Sequence, residues 1–512
     1  MSEKRPNILL ILTDQHRLSA VGAYGVTPCQ TPNIDRLALE GVRFENTYTA
    51  CPVCTPTRAS IITGQMPHNH GMIQNTEDAW AAVHELPDNR QLLSRRLEAA
   101  GYQLGYTGKW HLGSTYTQKL GSLITPCLPK DVGFIGQNFP GHGDGGWYYQ
   151  EFKEYLKQRG LKHGIKPWSE STIPYRYDEN GAILEQAVEG SVPYFLAENT
   201  ISLIDKFRAN EEPFFVWHNF WGPHSPYYVT NDYLEMYRNV EIPEWPNYRW
   251  PAKEIEGPHQ FSITPQLLWR EQNLTWPDWA MAIRYYYAFA SMIDAQIGRI
   301  IDHLNRTGLL ENTVIVFAAD HGESLGDHGG IYNKGWTHFE ETHRIPLIIR
   351  MPGKVSAGRV VQELASAVDL YPTLLDFAGI TCPAPVPRPG RPANWPYEVA
   401  HHPDGMSLVP LVRGENVQWR DTVVSEFHGL YDNSCIMRTM RHGQYKYGFN
   451  FMGTDELYDL EKDPYELNNV INDPDYSDVV EHLQQCLWDW MSQTQDNAVG
   501  GFYFLRLKGR KM

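Results

Sequence analysis

The chain has 512 residues, 42% apolar and 20% charged, which fits a large globular protein and excludes a short disulfide scaffold, a disordered tail and a fibrous repeat. With 44 Lys and Arg against 60 Asp and Glu, the formal charge is −16, so the surface is not built to neutralise nucleic-acid phosphates or anionic lipid, and any anion site must be local. No apolar run approaches a membrane span, the stretch Ile8 to Leu12 is too short for an export signal, and seven scattered cysteines suit reduced thiols, so the expectation is a cytoplasmic enzyme.

In chain order, Asn7 to Thr13 reads as a fully buried strand ending at Asp14-Gln15, and Pro32 to Glu40 follows with helical spacing. Gln91 to Ala100 has a helical pattern, Gln103 to Thr107 a strand pattern, and Gly121 to Val192 little periodicity, as expected of an insertion that shapes a pocket. Strands are expected at Pro213 to Phe220, Thr313 to Ala319 and Pro346 to Arg350, and helices at Tyr285 to Leu304 and Leu370 to Ala378. Alternation of this kind predicts an α/β fold with a large, mostly parallel central sheet between helices. The proline-rich stretch Thr381 to Pro403 predicts a boundary between a catalytic domain, 1–400, and a smaller α+β domain, 401–512. The latter is expected to hold short antiparallel strands at Val423 to His428, Cys435 to Thr439 and Gln444 to Phe451, and a closing helix at Tyr476 to Ser492. On open α/β sheets ligands bind beyond the carboxyl ends of the strands. Asp14, Lys109, His218, His224 and Asp320 fall at or near such ends, with His218 on the strand itself and so assigned to the core or its margin.

The most specific stretch is Cys54-Thr55-Pro56-Thr57-Arg58-Ala59-Ser60-Ile61-Ile62-Thr63-Gly64. In this composition Cys-x-Pro-x-(Lys/Arg) occurs by chance about 0.04 times, and about 0.003 times with the glycine added. Pro56 suits a first helical turn, which puts Cys54 at a helix N-terminus and favours an anion beside it. The competing reading, a zinc or redox pair of Cys51 and Cys54, lacks the second well-spaced cluster that a four-ligand site needs. Oxygen donors of Asp14, Gln15 and Asp320 at two strand ends suit a hard divalent cation. Lys109 and His111, two apart in Gly108-Lys109-Trp110-His111-Leu112-Gly113, are expected in an extended loop that aims both at one site. Gly222-Pro223-His224-Ser225-Pro226 fixes a histidine in a proline-stiffened loop.

On these segments the chain resembles the type I, formylglycine-dependent sulfatases of the alkaline phosphatase superfamily. The resemblance extends to Thr31-Pro32-Asn33-Ile34-Asp35-Arg36-Leu37, to Asp369-Leu370-Tyr371-Pro372-Thr373 and to the late Glu456-Leu457-Tyr458-Asp459-Leu460 segment. It implies that a formylglycine-generating or equivalent maturation enzyme oxidises Cys54 to formylglycine (3-oxoalanine), whose hydrate is the nucleophile. It implies one divalent cation, Ca²⁺ first and Mg²⁺ or Mn²⁺ next, held by Asp14, Gln15, Asp320, His321 and the oxygen of residue 54. Arg58, Lys109 and Lys334 are implied to face the transferred group, His224 with Lys334 the leaving group, and His111 to take the proton in the step that releases sulfate. Asn75 is implied to touch the substrate. The partners implied are a small-molecule or saccharide sulfate ester, the maturation enzyme and, as an option, further copies of the chain in a homo-oligomer, with neither nucleic acid nor membrane.

Gln15 and His321 depart from the commoner Asp and Asn and resemble the variant in phosphonate monoester hydrolases, whereas the Lys109/His111 pair resembles true sulfatases. Three readings follow: a sulfate monoester hydrolase, preferred on that pair; a phosphonate monoester or phosphodiester hydrolase with the same nucleophile; and a catalytically silent anion-binding protein with Cys54 unconverted. Asp327-His328 and Glu340-Glu341 are expected to make structural salt bridges or turns.

Overall fold

The structure, a computed structural model, describes residues 5–79, 81–115, 125–167, 181–248, 274–351, 353, 357–382, 403–431, 433–451 and 453–496. Its main sheet contains β1 (Asn7–Asp14), β2 (Val42–Phe44), β3 (Gln103–Gly108), β4 (Ile135–Gly136), β5 (Phe214–Pro223), β6 (Thr313–Ala319), β7 (Leu347–Arg350) and β8 (Arg359–Val361). They lie in the order β8-β2-β7-β6-β1-β5-β3-β4. All pairings are parallel except the two made by β7.

Both faces of this sheet are covered, and the reason is visible in β1. Its apolar run has no polar face: Leu9 and Ile11 enter one core, and Ile8, Leu10 and Leu12 enter the other. The first core is closed by α1 (Pro32–Glu40), α4 (Val192–Phe207) and α5 (Trp276–Arg306), the second by α2 (Cys54–Thr63), α3 (Leu93–Ala99) and α6 (Leu370–Phe377). The expected strands and helices are all present. Helix α5 begins nine residues ahead of the expected Tyr285, because Thr275 and Asp278 form a capping box around Pro277. Helix α4, absent from the expected elements, starts at a Ser191 cap followed by Pro193 and buries Leu196, Ala197, Leu203, Ile204 and Phe207.

A second, antiparallel sheet has the order β9 (Thr422–Leu430), β10 (Asn433–His442), β11 (Tyr445–Asn450), β12 (Glu456–Asp459). Helix α7 (Ser477–Thr494) packs Leu483, Leu487 and Met491 against Val424, Met440, Tyr447, Phe449 and Leu457 of that sheet. The expected boundary at residue 400 lies within 383–402, outside the described residues, as do 121–124 and 168–180 of the expected insertion. All seven cysteines are free, and among the described residues no helix is long and apolar enough to cross a membrane.

Candidate active site

The site begins with the strand ends. Strands β1 and β6 are in parallel register through Thr13 and Ala319, so the next residues, Asp14 and Asp320, emerge side by side. The Asp320 N–H donates to Thr13 O at 3.1 Å, and Asp320 Oδ1 accepts from the N–H groups of Gln15 at 3.0 Å and His321 at 2.9 Å. Gln15 takes a φ of 59° and His111 one of 54°, left-handed conformations that such residues adopt at a cost and that cluster where side chains must be aimed. At the end of β3, Gly108 has a φ of 87°, and a Cβ there would stand 1.7 Å from Asn219 O of β5. Only glycine lets the chain turn there toward Lys109.

Cys54 is the first residue of α2, and the whole helix is buried. Asn75 Oδ1 accepts from the Thr55 N–H at 3.2 Å, so Asn75 serves the start of this helix. Cys54 Sγ lies 3.1 Å from Lys334 Nζ, 3.2 Å from His321 Nε2, 3.4 Å from Lys109 Nζ and 3.5 Å from Asp14 Oδ1. Burial and Asp14 push the thiol up, but Lys109, Lys334 and His111 outweigh them and hold it below its ordinary value. Lys109 Nζ also pairs with Asp14 Oδ2. Burial opposes ionisation of Asp14, yet Lys109, His224 and Lys334 keep its carboxyl well below the usual range. Lys334 Nζ donates to Gln15 Oε1 at 2.7 Å; burial works against its charge, while Cys54 and Asp14 hold the ammonium above its ordinary value.

His111 does not sit in the expected extended loop, yet it reaches the site beside Lys109, and both are fully buried. Its Nε2 lies 2.6 Å from Glu77 Oε2. Burial disfavours the imidazolium, but Glu77 and Cys54 raise this histidine above its ordinary value, while Glu77, half-buried, is drawn down to about 2 by His111 against the cost of desolvation. His224 follows β5 directly, and its N–H donates to Asp14 O at 3.0 Å. Burial and Lys334 hold its imidazole well below the ordinary value, and its Nδ1 lies 2.5 Å from Ser225 O. Arg58 is turned away from its expected direction. Its Nε donates to Asp320 Oδ2 at 3.0 Å, and one terminal nitrogen reaches Asn219 Oδ1 at 3.0 Å and Lys109 O at 3.2 Å, so it braces the strand-end carboxylate.

Asp14, Cys54, Asp320 and His321 each offer a ligand atom within 4.8 Å of the others, all buried. His321 Nδ1 faces Gly322 O at 2.9 Å, which commits that nitrogen as the donor and leaves the Nε2 lone pair toward Cys54 and the carboxylates. Burial holds His321 down at about 4, so the ring is neutral near pH 7. Two carboxylates and a neutral imidazole fit a divalent cation. Gln15 is engaged otherwise: its Nε2 donates to Glu323 and, at 3.1 Å, to Asn333, and its Oε1 accepts from Lys334.

Five residues at the site are not among those expected from the sequence: Glu77, Glu323, Asn333, Asn219 and His142. His142 comes from the weakly periodic segment and stands between His111 and His224, its ring 5.1 and 4.8 Å from theirs. The remaining expectations fall away from the reacting centre. His218 is buried on β5 with Nδ1 2.7 Å from Thr200 Oγ1. Asp327 pairs with Arg17 at 3.0 Å, His328 stacks on Phe339, and Glu340 pairs with Lys446 at 3.3 Å. Cys51 packs with Val53, Trp336 and Phe427 and belongs to no metal-capable group among the described residues.

Comparison with known proteins decides what this arrangement belongs to. The sulfatase family profile matches residues 6–380, and a profile described as N-sulphoglucosamine sulphohydrolase, C-terminal, matches residues 396–493. The chain belongs to the sulfatase family. This sulfatase is 30% identical to an arylsulfatase of Clostridium perfringens over 98% of each chain, and 27% identical to an N-acetylglucosamine-6-O-sulfatase of Bacteroides thetaiotaomicron over 96% of this chain and 88% of the other. A solved phosphonate monoester hydrolase of Agrobacterium radiobacter aligns with a TM-score of 0.76 and 26% identity, covering 96% of each chain. The sulfatase is thus a hydrolase of sulfate esters.

Proposed function

We propose that this sulfatase hydrolyses a sulfate monoester, with residue 54 as the nucleophile after a separate maturation enzyme has oxidised Cys54 to formylglycine. The observation that carries the reading is the convergence of Lys109, Lys334, His321 and Asp14 on one buried atom of Cys54, with His111 held beside it by Glu77. Formylglycine, when present, supplies a hydrated aldehyde, two hydroxyl groups on one carbon where the thiol offers a single sulfur. Asp14, Asp320 and His321 are the residues that would hold the cation, Ca²⁺ foremost with Mg²⁺ and Mn²⁺ as alternatives, and the cation would supply positive charge facing the transferred group.

Lys109 and Lys334 bring fixed positive charge to where sulfate oxygens gather, in a water-poor surrounding that strengthens it. Arg58 positions Asp320 rather than meeting the sulfate. Lys334, with its charge secured, and His224 flank the leaving oxygen. His111, raised by Glu77 and oriented by it through an Nε2–H donated to the carboxylate, takes and holds a proton at Nδ1 beside residue 54 during sulfate release. The substrate class is a small-molecule or saccharide sulfate, as in the N-acetylglucosamine-6-O-sulfatase relative.

A second reading, a phosphonate monoester hydrolase, is favoured by Gln15 and His321 and by the Agrobacterium structure. Mass measurement of the peptide containing residue 54 tests the first reading: across preparations, turnover of a nitrophenyl sulfate should scale with the fraction in which sulfur is exchanged for oxygen with loss of two hydrogens. Full turnover by protein that retains the thiol would refute it.

A further inference from the structure

Far along the chain from the reacting centre, the end of β10 and one face of α7 place a second group of metal-capable side chains together. His442 is the last residue of β10, while His482 and Cys486 are four apart on α7, the spacing that stacks side chains on one helix face, and Asp489 continues the same stripe at i+7. His482 Nε2 lies 3.5 Å from Cys486 Sγ, and the rings of His442 and His482 meet edge to face at 5.2 Å. One ligand atom from each of the three residues lies within 4.8 Å of the other two. They line a cleft of about 560 Å³ that also contains Asp421 and Asp489.

We propose that His442, His482 and Cys486 form a binding site for zinc, or a divalent cation of the same borderline-soft class, that ties α7 to the end of β10 in the antiparallel sheet. The spacing supports it quantitatively. Zn–S of about 2.3 Å and Zn–N of about 2.0–2.1 Å at a tetrahedral angle separate the two ligand atoms by about 3.5 Å, as found for His482 and Cys486. Two imidazoles and a thiolate are the donors this cation class selects, whereas Ca²⁺ and Mg²⁺ select oxygen. Thr422 Oγ1 lies 2.8 Å from Nδ1 of His442, which engages that nitrogen and leaves Nε2 to ligate, the outer contact that fixes ligating histidines.

The local field favours a cation. The cleft's basic residue Arg420 is already paired with Asp369 at 2.6 Å. Asp421 and Asp489 line the same cleft, so carboxylates stand around the sulfur. Three protein donors leave the fourth position to solvent. On binding, the Cys486 S–H bond breaks, its proton passes to solvent and the sulfur lone pair forms the metal bond, with no change of oxidation state.

Cobalt(II) tests the site directly, because a thiolate ligand gives it a charge-transfer absorption. In the full-length Cys54→Ala protein held in excess Ca²⁺, which removes the thiol of the other site and keeps its oxygen-rich cation position filled, one equivalent of Co²⁺ should develop that band, and Zn²⁺ should displace it. Cys486→Ser should abolish the band, and His482→Ala and His442→Ala should each weaken Co²⁺ binding at least tenfold. Zinc should also raise the melting temperature of the Cys54→Ala protein and leave that of its His482→Ala derivative unmoved. Absence of the band at one equivalent, or its persistence in Cys486→Ser, would overturn the proposal.

Discussion

Two buried ionic clusters of this fold are wired oppositely. Around Cys54, the ammonium groups of Lys109 and Lys334 converge within 3.4 Å of one sulfur; Asp14 answers Lys109, whereas Lys334 is held by the neutral Oε1 of Gln15 and by the sulfur itself. Around Glu426 of β9 every charge is answered. His68 Nδ1 lies 2.5 Å from Oε1, and Oε2 accepts from the His68 N–H at 3.1 Å and lies 2.8 Å from His428 Nε2. Arg438 of β10 then makes a two-pronged pair with Asp496 at 2.6 and 2.9 Å. His68 follows α2, and Asp496 follows α7, so the second cluster binds the segment after α2 to the antiparallel sheet and the end of α7. Charge left unanswered marks the place for an anion; charge answered on all sides marks a structural joint.

The largest effect expected from breaking this contrast is at Cys54. Cys54→Ala should abolish turnover and leave the melting temperature close to that of wild type, since a small residue is well tolerated at a buried helix start. Activity comparable to wild type would remove residue 54 from the mechanism. Next is His111→Ala, expected to lower steady-state turnover about 10²–10⁴-fold, the range for a lost acid–base group, while a burst of alcohol stoichiometric with enzyme survives. Glu77→Gln should fall short of that, about 10–100-fold as for other orienting partners, and should move the His111 limb of the pH–rate profile to lower pH. An unmoved limb would mean that Glu77 does not set the state of His111.

Much of this site is legible in the amino-acid sequence. Apolar runs set the strands that lead to Asp14 and to Asp320, a shorter mixed strand leads to Lys109, and the rule of strand carboxyl ends then collects the site. Glu77, His142, Asn333 and Asn219 escape it, because irregular loops or an interior strand position bring them in and no period announces them. The direction of Arg58 is also hidden: the motif gives its spacing, but only the nearness of Asp320 Oδ2 and Asn219 Oδ1 shows which way the guanidinium turns. Helix α4 does carry a signal, in Ser191, Pro193 and the spacing of Leu196, Thr200, Leu203 and Phe207.

The answered cluster is expected to affect stability and not chemistry. Glu426→Gln leaves Arg438 and His68 short of a counter-charge and should cost about 3–5 kcal/mol in urea unfolding, as broken buried pairs do, with turnover per folded molecule unchanged. A loss too small to measure would show the joint to be incidental. The pH dependence follows from the directions of shift. His68 is raised against the penalty of burial by Glu426, so its contribution is complete below about 6.5 and is lost as pH rises through the raised value. Glu426 and Asp496 are lowered, against burial, by His68 and Arg438, so theirs is complete above about 4.5 and is lost as pH falls. The joint should therefore be strongest between about 4.5 and 6.5, and the stability difference between wild type and Glu426→Gln, measured by urea at a series of pH values, should be greatest there.

The proposed preference for a sulfate monoester rests on Lys109 and His111 beside Cys54. Its most direct test is kcat/KM for a nitrophenyl sulfate and for a phenylphosphonate monoester, measured side by side on one preparation whose conversion at residue 54 is known from peptide mass. The account predicts that the sulfate is preferred and that both activities disappear in Cys54→Ala. Preference for the phosphonate ester would contradict it and make Gln15 and His321, rather than Lys109 and His111, the residues that define the substrate.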